Sequence, residues 1–201
     1  MPNTKLLIGA GAAGLAALAA AGVATGVLRG AGSPSSQPDV ASPDAERAIV
    51  ASFPAAGQAH ARALVLQRTP DGYVCLWDSP DGSVAKGLGG CNPASDPLGG
   101  RKLMVNLAYD GGPQAASVRE ARLSGLVSAE VASAEVLMSD GSSRPLRLLR
   151  PGTRALAGAD YAVIAYRVRE SDLRAGATPV AVVVRDASGR ELDRQATGIG
   201  G

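Results

Sequence analysis

The most suggestive residues for chemistry in this chain are Ser83-Val-Ala-Lys86. Their spacing matches the S-x-x-K of penicillin-binding enzymes, in which the serine is the nucleophile and works beside S-D-N and K-T-G elements. Neither companion element occurs in the sequence. Ser83 also follows Asp81-Gly82, a pair typical of a hairpin turn. We therefore expect Ser83 and Lys86 to lie in a solvated turn and predict no catalytic residue there.

Histidine is too scarce for the common catalytic and metal sites. A Ser-His-Asp triad would have to use His60, the only histidine, and no nucleophile-elbow motif is present. A Cys2His2 zinc site is impossible with one histidine, and a mixed site would need carboxylates at spacings that nothing in the sequence signals. The sequence predicts an exposed His60 and no metal site.

The two cysteines, Cys75 and Cys91, predict a disulfide. Their separation matches no paired C-x-x-C metal arrangement. A bridge that closes a loop of about 15 residues contributes roughly 3 kcal/mol by the chain-entropy model and forms in an oxidising compartment. Two buried free thiols are the alternative. Trp77 lies two residues from Cys75 and therefore on the same face of a strand, where it can brace the bridge.

The glycines of Gly9-Ala-Gly11-Ala-Ala-Gly14 match the dinucleotide-binding G-x-G-x-x-G. That motif needs an acidic residue about 20 positions later to hold the ribose. The corresponding window, 30–36, contains no carboxylate and leads into a stretch rich in Ser and Pro. We therefore interpret the glycines as small residues of an apolar helix and predict no cofactor.

Residues 1–29 read as a transmembrane anchor or signal segment. Lys5 precedes residues 6–28, which carry no charge. As a helix they would extend roughly 34 Å, enough to cross a hydrocarbon core of about 30 Å. We expect a single pass through the cell membrane with the C-terminal domain outside the cytoplasm. Cleavage after a small-x-small site such as Gly22-Val-Ala24 would instead give a secreted protein.

The rest of the chain divides into a linker, 30–42, and one domain, 43–201. The linker is mostly Gly, Ser, Pro and Ala, a composition typical of a spacer. Ser42 and Pro43 resemble a helix cap and first turn, which predicts a short leading helix to about Phe53. Without Lys5 and Arg29 the acidic and basic residues are equal in number, which argues against nucleic-acid binding.

Short apolar runs separated by turn dipeptides such as Asp71-Gly72 and Asp140-Gly141 predict a mainly β domain. We expect Val180–Val184, which is apolar on both faces, to be central in its sheet and 191–196 to be an edge strand. This pattern favours an antiparallel β-sandwich or barrel-like fold. The predicted strands are 63–68, 73–78, 102–108, 121–127, 134–139, 145–149, 161–168, 180–186 and 191–196.

The chain resembles a loose group of uncharacterised actinobacterial membrane-anchored or secreted β-domain proteins. The resemblance rests on Gly72-Tyr-Val-Cys75-Leu, Gly89-Gly-Cys91, the stretch from Ser124 to Val136, Ser139-Asp-Gly141 and the stretch from Asp186 to Leu192. It covers roughly residues 60–196 and consists of turn and strand motifs. It implies an extracytoplasmic β domain and no assigned activity, so it supplies no catalytic residue.

Two functions follow as hypotheses. The first is a non-catalytic, membrane-tethered interaction or sensing module whose partner is a protein or an envelope ligand. The second is a small extracytoplasmic hydrolase-like enzyme, for which Ser83 with Lys86, or Cys91, would supply the nucleophile.

Overall fold

A computed structural model describes residues 38–55, 60–111, 118–150 and 159–198. The predicted anchor, residues 6–28, and most of the predicted linker lie outside these ranges. Within them no helix has both the length and the apolar character that a membrane span requires. The described residues are mainly β and form three four-stranded antiparallel sheets.

The N-terminal sheet contains four strands in sequence order. They are β1 (Glu46–Phe53), β2 (Arg62–Arg68), β3 (Tyr73–Ser79) and β4 (Leu88–Pro93), with a 3-10 turn, η1 (Val84–Lys86), between the last two. The predicted leading helix is therefore wrong, because 46–53 is a strand. Ser42 does accept a hydrogen bond from the Asp44 amide, at 3.3 Å, but within a turn. Pairing with β2 and burial of Phe53 override the helical signal.

The central sheet has the order β5-β6-β10-β9. Its strands are β5 (Leu103–Gly111), β6 (Val118–Ser128), β9 (Leu148–Leu149) and β10 (Tyr161–Arg167). The predicted strand 145–149 is divided at Arg147, where the chain leaves one sheet and enters another.

The C-terminal sheet has the order β12-β11-β7-β8. Its strands are β7 (Ser133–Met138), β8 (Ser143–Leu146), β11 (Pro179–Arg185) and β12 (Glu191–Ala196), and a short helix, α1 (Glu170–Arg174), precedes β11. The central position of β11 and the edge position of β12 confirm the expectation from apolar patterning. Helix α1 was not predicted.

The central sheet is covered on both faces, so the described fold has three layers. Ala162 and Ile164 of β10 belong to the apolar cluster shared with the C-terminal sheet. Tyr161 and Val163, which alternate with them, belong to the cluster shared with the N-terminal sheet. Successive residues of a strand point to opposite faces. One set of β10 side chains therefore packs against the C-terminal sheet, and the alternating set packs against the N-terminal sheet. The coarse β prediction is confirmed.

Side chains of β12 form hydrogen bonds with the backbone at β5, at the corner where the central and C-terminal sheets meet. The Gln195 amide accepts from Val105 N at 2.9 Å and donates to Val105 O at 2.7 Å. Asp193 accepts from the amides of Lys102 and Leu103, both at 3.2 Å. Since β5 is an edge strand, these bonds satisfy backbone groups that would otherwise be open to another strand.

Strand β4 was not predicted because its Leu88-Gly-Gly-Cys91-Asn-Pro sequence has low β propensity. The structure explains the first of these glycines. A Cβ at Gly89 would lie 1.9 Å from the carbonyl oxygen of Leu76 on β3, a separation that no side chain tolerates. Close approach of two backbones therefore requires glycine here.

Candidate functional site

Cys75 and Cys91 lie directly opposite each other on β3 and β4 and are disulfide-compatible, with an S–S distance of 2.04 Å. Cys75 is fully buried. The pair joins adjacent strands of one sheet. When this pair is bonded, Cys91 has no free thiol to act as a nucleophile.

Trp77 is hydrogen-bonded to Gln67 on the face of the sheet that carries Cys75. Gln67 lies opposite Cys75 across β2 and β3, and its amide oxygen accepts a hydrogen bond from Trp77 Nε1 at 3.0 Å. Its amide nitrogen donates to the carbonyl of Val40 at 2.9 Å. The fully buried amide of Gln67 therefore connects both Trp77 and the segment before β1 to the strands that carry the cysteine pair.

Ser83 and Lys86 do not form a catalytic pair in the structure. The Ser83 hydroxyl accepts from the amide of Ala85 at 3.3 Å and caps η1. Lys86 Nζ instead lies 2.9 Å from Asp81 Oδ2, and the hydrogen bond and charge of that carboxylate raise the pKa of Lys86. The same bond lowers the pKa of Asp81 to about 2. A lysine that acts as a general base needs the opposite shift.

His60 has an exposed position, and its carbonyl oxygen accepts from Arg167 Nη2 at 3.0 Å. In the described ranges no group of three or more His, Cys, Asp or Glu residues could hold a metal ion.

Five charged side chains form a chain between the N-terminal and central sheets. Asp78 is at its middle, with Arg62 Nε 2.6 Å from one carboxylate oxygen and Arg122 Nε 2.8 Å from the other. Arg122 continues to Glu120, and Glu120 to Arg167, at 2.5 and 3.0 Å. Only 4% of the Asp78 side chain is exposed, and three guanidinium groups face two carboxylates, so the chain carries one net positive charge.

Arg167 connects this charge chain to the loop between β1 and β2. It donates to the carbonyls of Pro54 and His60, on either side of the loop, and its guanidinium carbon lies 5.5 Å from the centre of the Phe53 ring. A cation over an aromatic face is attracted by the ring quadrupole. Its Nε is buried without a hydrogen-bond partner. One side chain therefore connects both described ends of this loop to the central sheet.

Sequence reasoning missed this charge chain, although alternation carries a signal for part of it. Asp78 follows Val74 and Leu76 at a spacing of two, on the face that both bury in the core. Glu120 and Arg122 precede Leu126 on β6 in the same way. A charge at a core-facing position of a strand requires a partner, and the facing strand supplies it. Which strands face each other was not predictable.

A second polar group lies where β8, β10 and α1 meet. Arg144 Nη2 is 3.0 Å from Asp172 Oδ1, while Arg144 Nε, Asp172 Oδ2 and the Tyr166 hydroxyl are buried without partners. Burial, and secondarily the charge of Asp172, raise the pKa of Tyr166. The phenol is therefore held in its neutral form.

A surface groove of about 260 Å³ lies at the end of the N-terminal sheet where β1 ends and β2 begins. We call it the end groove. Its apolar lining comes from β1, β2 and the turn after β3, and includes Ile49, Phe53, Pro54, Ala63 and Pro80. Arg62 and Asp81 contribute its charges. A smaller cavity of about 20 Å³, between Leu76 and Leu126, has room for no more than one water molecule.

No family model, curated protein or solved structure matches this chain. The resemblance to actinobacterial β-domain proteins therefore stays a prediction.

Proposed function

We propose that this chain is a membrane-tethered, extracytoplasmic β domain that binds a partner and catalyses no reaction. The observation that carries the proposal is the pairing of Cys75 with Cys91. A disulfide favours an oxidising compartment, which agrees with export behind the apolar residues 6–28. The same bond occupies the thiol that the hydrolase hypothesis would use.

The hydrogen bonds of Ser83 and Lys86 also support an interaction domain. Ser83 caps a turn and Lys86 is bound to Asp81, so neither is arranged to activate the other. The end groove is mainly apolar with two charged residues, a composition suited to binding.

Location is tested on cells that express the full chain. Thiols are alkylated before lysis, and a non-reducing peptide map then locates the cysteines. We expect Cys75 and Cys91 in one linked peptide, and external protease on intact cells removing the C-terminal domain. Free, alkylated cysteines with a protease-resistant domain would contradict the proposal. Release of the linked domain into the medium would establish the secreted form instead.

Absence of catalysis is tested separately on the folded, purified chain. A fluorophosphonate probe for reactive serines and iodoacetamide for reactive thiols should label neither Ser83 nor Cys91. Ser83→Ala provides the matched control for background labelling. Reproducible labelling of Ser83 that is absent from this variant would favour the hydrolase.

A further inference from the structure

We propose that the end groove binds the C-terminus of an extended peptide whose last residue is apolar. This inference rests on the proposed function and names the class of partner. It combines three features of the same place: a strand edge, an apolar lining and an excess of positive charge. The alternatives, a free aliphatic acid and a second copy of this chain, are outcomes of the test.

The edge is that of β1, which pairs only with β2 in the N-terminal sheet. Within the described ranges, no backbone bond from outside the sheet reaches residues 46–53. A register shift between Ile49 and Ala51 interrupts the regular ladder, so an added peptide would pair mainly with the last residues of β1. These residues border the end groove, and strand addition is a common way to bind extended peptides.

The apolar lining suits one side chain rather than a long hydrocarbon. A volume of about 260 Å³ is small for a ligand site. Ile49, at its rim, is 59% exposed, the largest value among the exposed large hydrophobic residues of the described chain. Covering Ile49 with an apolar terminal residue would remove this surface from water.

The charge favours a carboxylate. Arg62 lines the groove and uses its Nε and Nη2 on Asp78, while its Nη1 makes no hydrogen bond to any described residue. Asp78 is already shared with Arg122, and the charge chain has one positive charge in excess. The other acid of the groove, Asp81, is neutralised by Lys86. A terminal carboxylate would balance the excess, as arginine commonly does with carboxylates.

The direct test measures fluorescence anisotropy with the full chain and labelled octapeptides of alternating threonine and valine. One set ends in valine with a free carboxylate, a second set is amidated, and a third ends in lysine. We expect saturable binding of the first set. Binding should be about tenfold weaker or more after amidation, the loss expected for a hydrogen bond to a charged group. Binding should also be weaker for the third set, because its last residue is not apolar. Equal binding of acid and amide would overturn the proposal, and so would no binding of any set.

Two pairs of variants locate the site. Ile49→Gln should weaken binding of the acid peptide by about tenfold or more, since it replaces the apolar surface at the rim with a neutral polar side chain. Leu88→Gln, at a residue 53% exposed on the opposite edge of the same sheet, should leave binding unchanged. Lys86→Met exposes the charge of Asp81 and should weaken the acid peptide but not the amide. Lys102→Met, which breaks the exposed pair with Glu130, is its control. Loss of binding in both members of a pair would contradict the site.

The alternatives have distinct results. Displacement of the peptide by hexanoic acid at equal concentration would show that a carboxylate on any aliphatic group suffices. A dimer in sedimentation that becomes monomeric with Ile49→Gln would show a second copy in the groove. Either result overturns the peptide proposal and leaves the disulfide map and the probe-labelling experiments unaffected.

Discussion

The central sheet meets its two neighbours through different chemistry. Toward the C-terminal sheet, eighteen buried hydrophobic residues of the described chain form one cluster. Toward the N-terminal sheet there are nine, and charged side chains centred on Asp78 lie at the same interface. Apolar packing has no direction, whereas hydrogen-bonded ion pairs are satisfied in one arrangement only. We infer that the first interface contributes mainly to stability. The second also fixes the orientation of the N-terminal sheet relative to the central sheet.

The largest effect is expected from Asp78→Asn at the charged interface. It leaves Arg62 without its counter-charge and Arg122 with Glu120 only, and removing one partner of a buried pair costs about 3–5 kcal/mol. Urea unfolding measures the free energy. The same change at Asp172, whose pair with Arg144 is somewhat more exposed, should cost less, about 1.5–3 kcal/mol, the range for a hydrogen bond to a charged group. Equal losses at the two sites would remove the distinction between the interfaces.

The second prediction concerns the disulfide, which lies in the N-terminal sheet only. Replacing both Cys75 and Cys91 with alanine should lower the free energy of unfolding by roughly 3 kcal/mol, the chain-entropy value for such a loop. Amide hydrogen exchange should accelerate in β3 and β4 while β7 and β11 stay protected. Uniform acceleration across all three sheets would mean that the layers unfold as one unit.

The third prediction concerns the corner between the central and C-terminal sheets. Gln195→Ala leaves the amide and carbonyl of Val105 without their side-chain partner and should cost about 1–2 kcal/mol. Exchange at the Val105 amide reports the loss locally. Arg194→Ala, at an exposed neighbour on β12, is the control and should cost less. An unchanged exchange rate at Val105 in Gln195→Ala would contradict this role.

The smallest effect is expected at Tyr166, in the polar group beside the apolar interface. Its pKa is raised in the folded state, so the stability from the neutral phenol is complete below the unfolded value near 10 and is lost as pH rises through the folded pKa. Tyr166→Phe should therefore flatten the alkaline decline in the melting temperature. Tyr109→Phe, at an exposed tyrosine, should not change it. A decline identical to that of the unchanged chain would contradict the assignment.

The sequence predicted most strands because alternation and turn dipeptides are local signals. The turn residues Gly72, Gly82, Gly141 and Gly189 all have positive φ, as a tight turn favours. Strands β1 and β4 were missed because they form through pairing with a neighbouring strand. The sequence of β1 contains alanines, which are compatible with a helix. The sequence of β4 contains glycines that only its close approach to β3 explains.

Less of the candidate site was predictable. The partnership of Cys75 and Cys91 follows from counting cysteines, but that of Asp78 with Arg122 depends on two strands 44 positions apart in sequence facing each other. The end groove likewise combines the end of β1, the start of β2 and the turn after β3. Local patterns carry no information about such neighbours, whereas the three-layer stacking determines them.

The entry of the chain into the N-terminal sheet has a mechanical consequence. Gln67 holds Val40, and the amide of Asp39 donates to Asp71 in the turn before β3, so the described chain begins at the end of the sheet opposite to the end groove. A pull between a tether at Pro38 and a ligand in the groove would run lengthwise along β1. Its bonds to β2 would then be loaded together in shear instead of one after another, and rupture would require many to break at once.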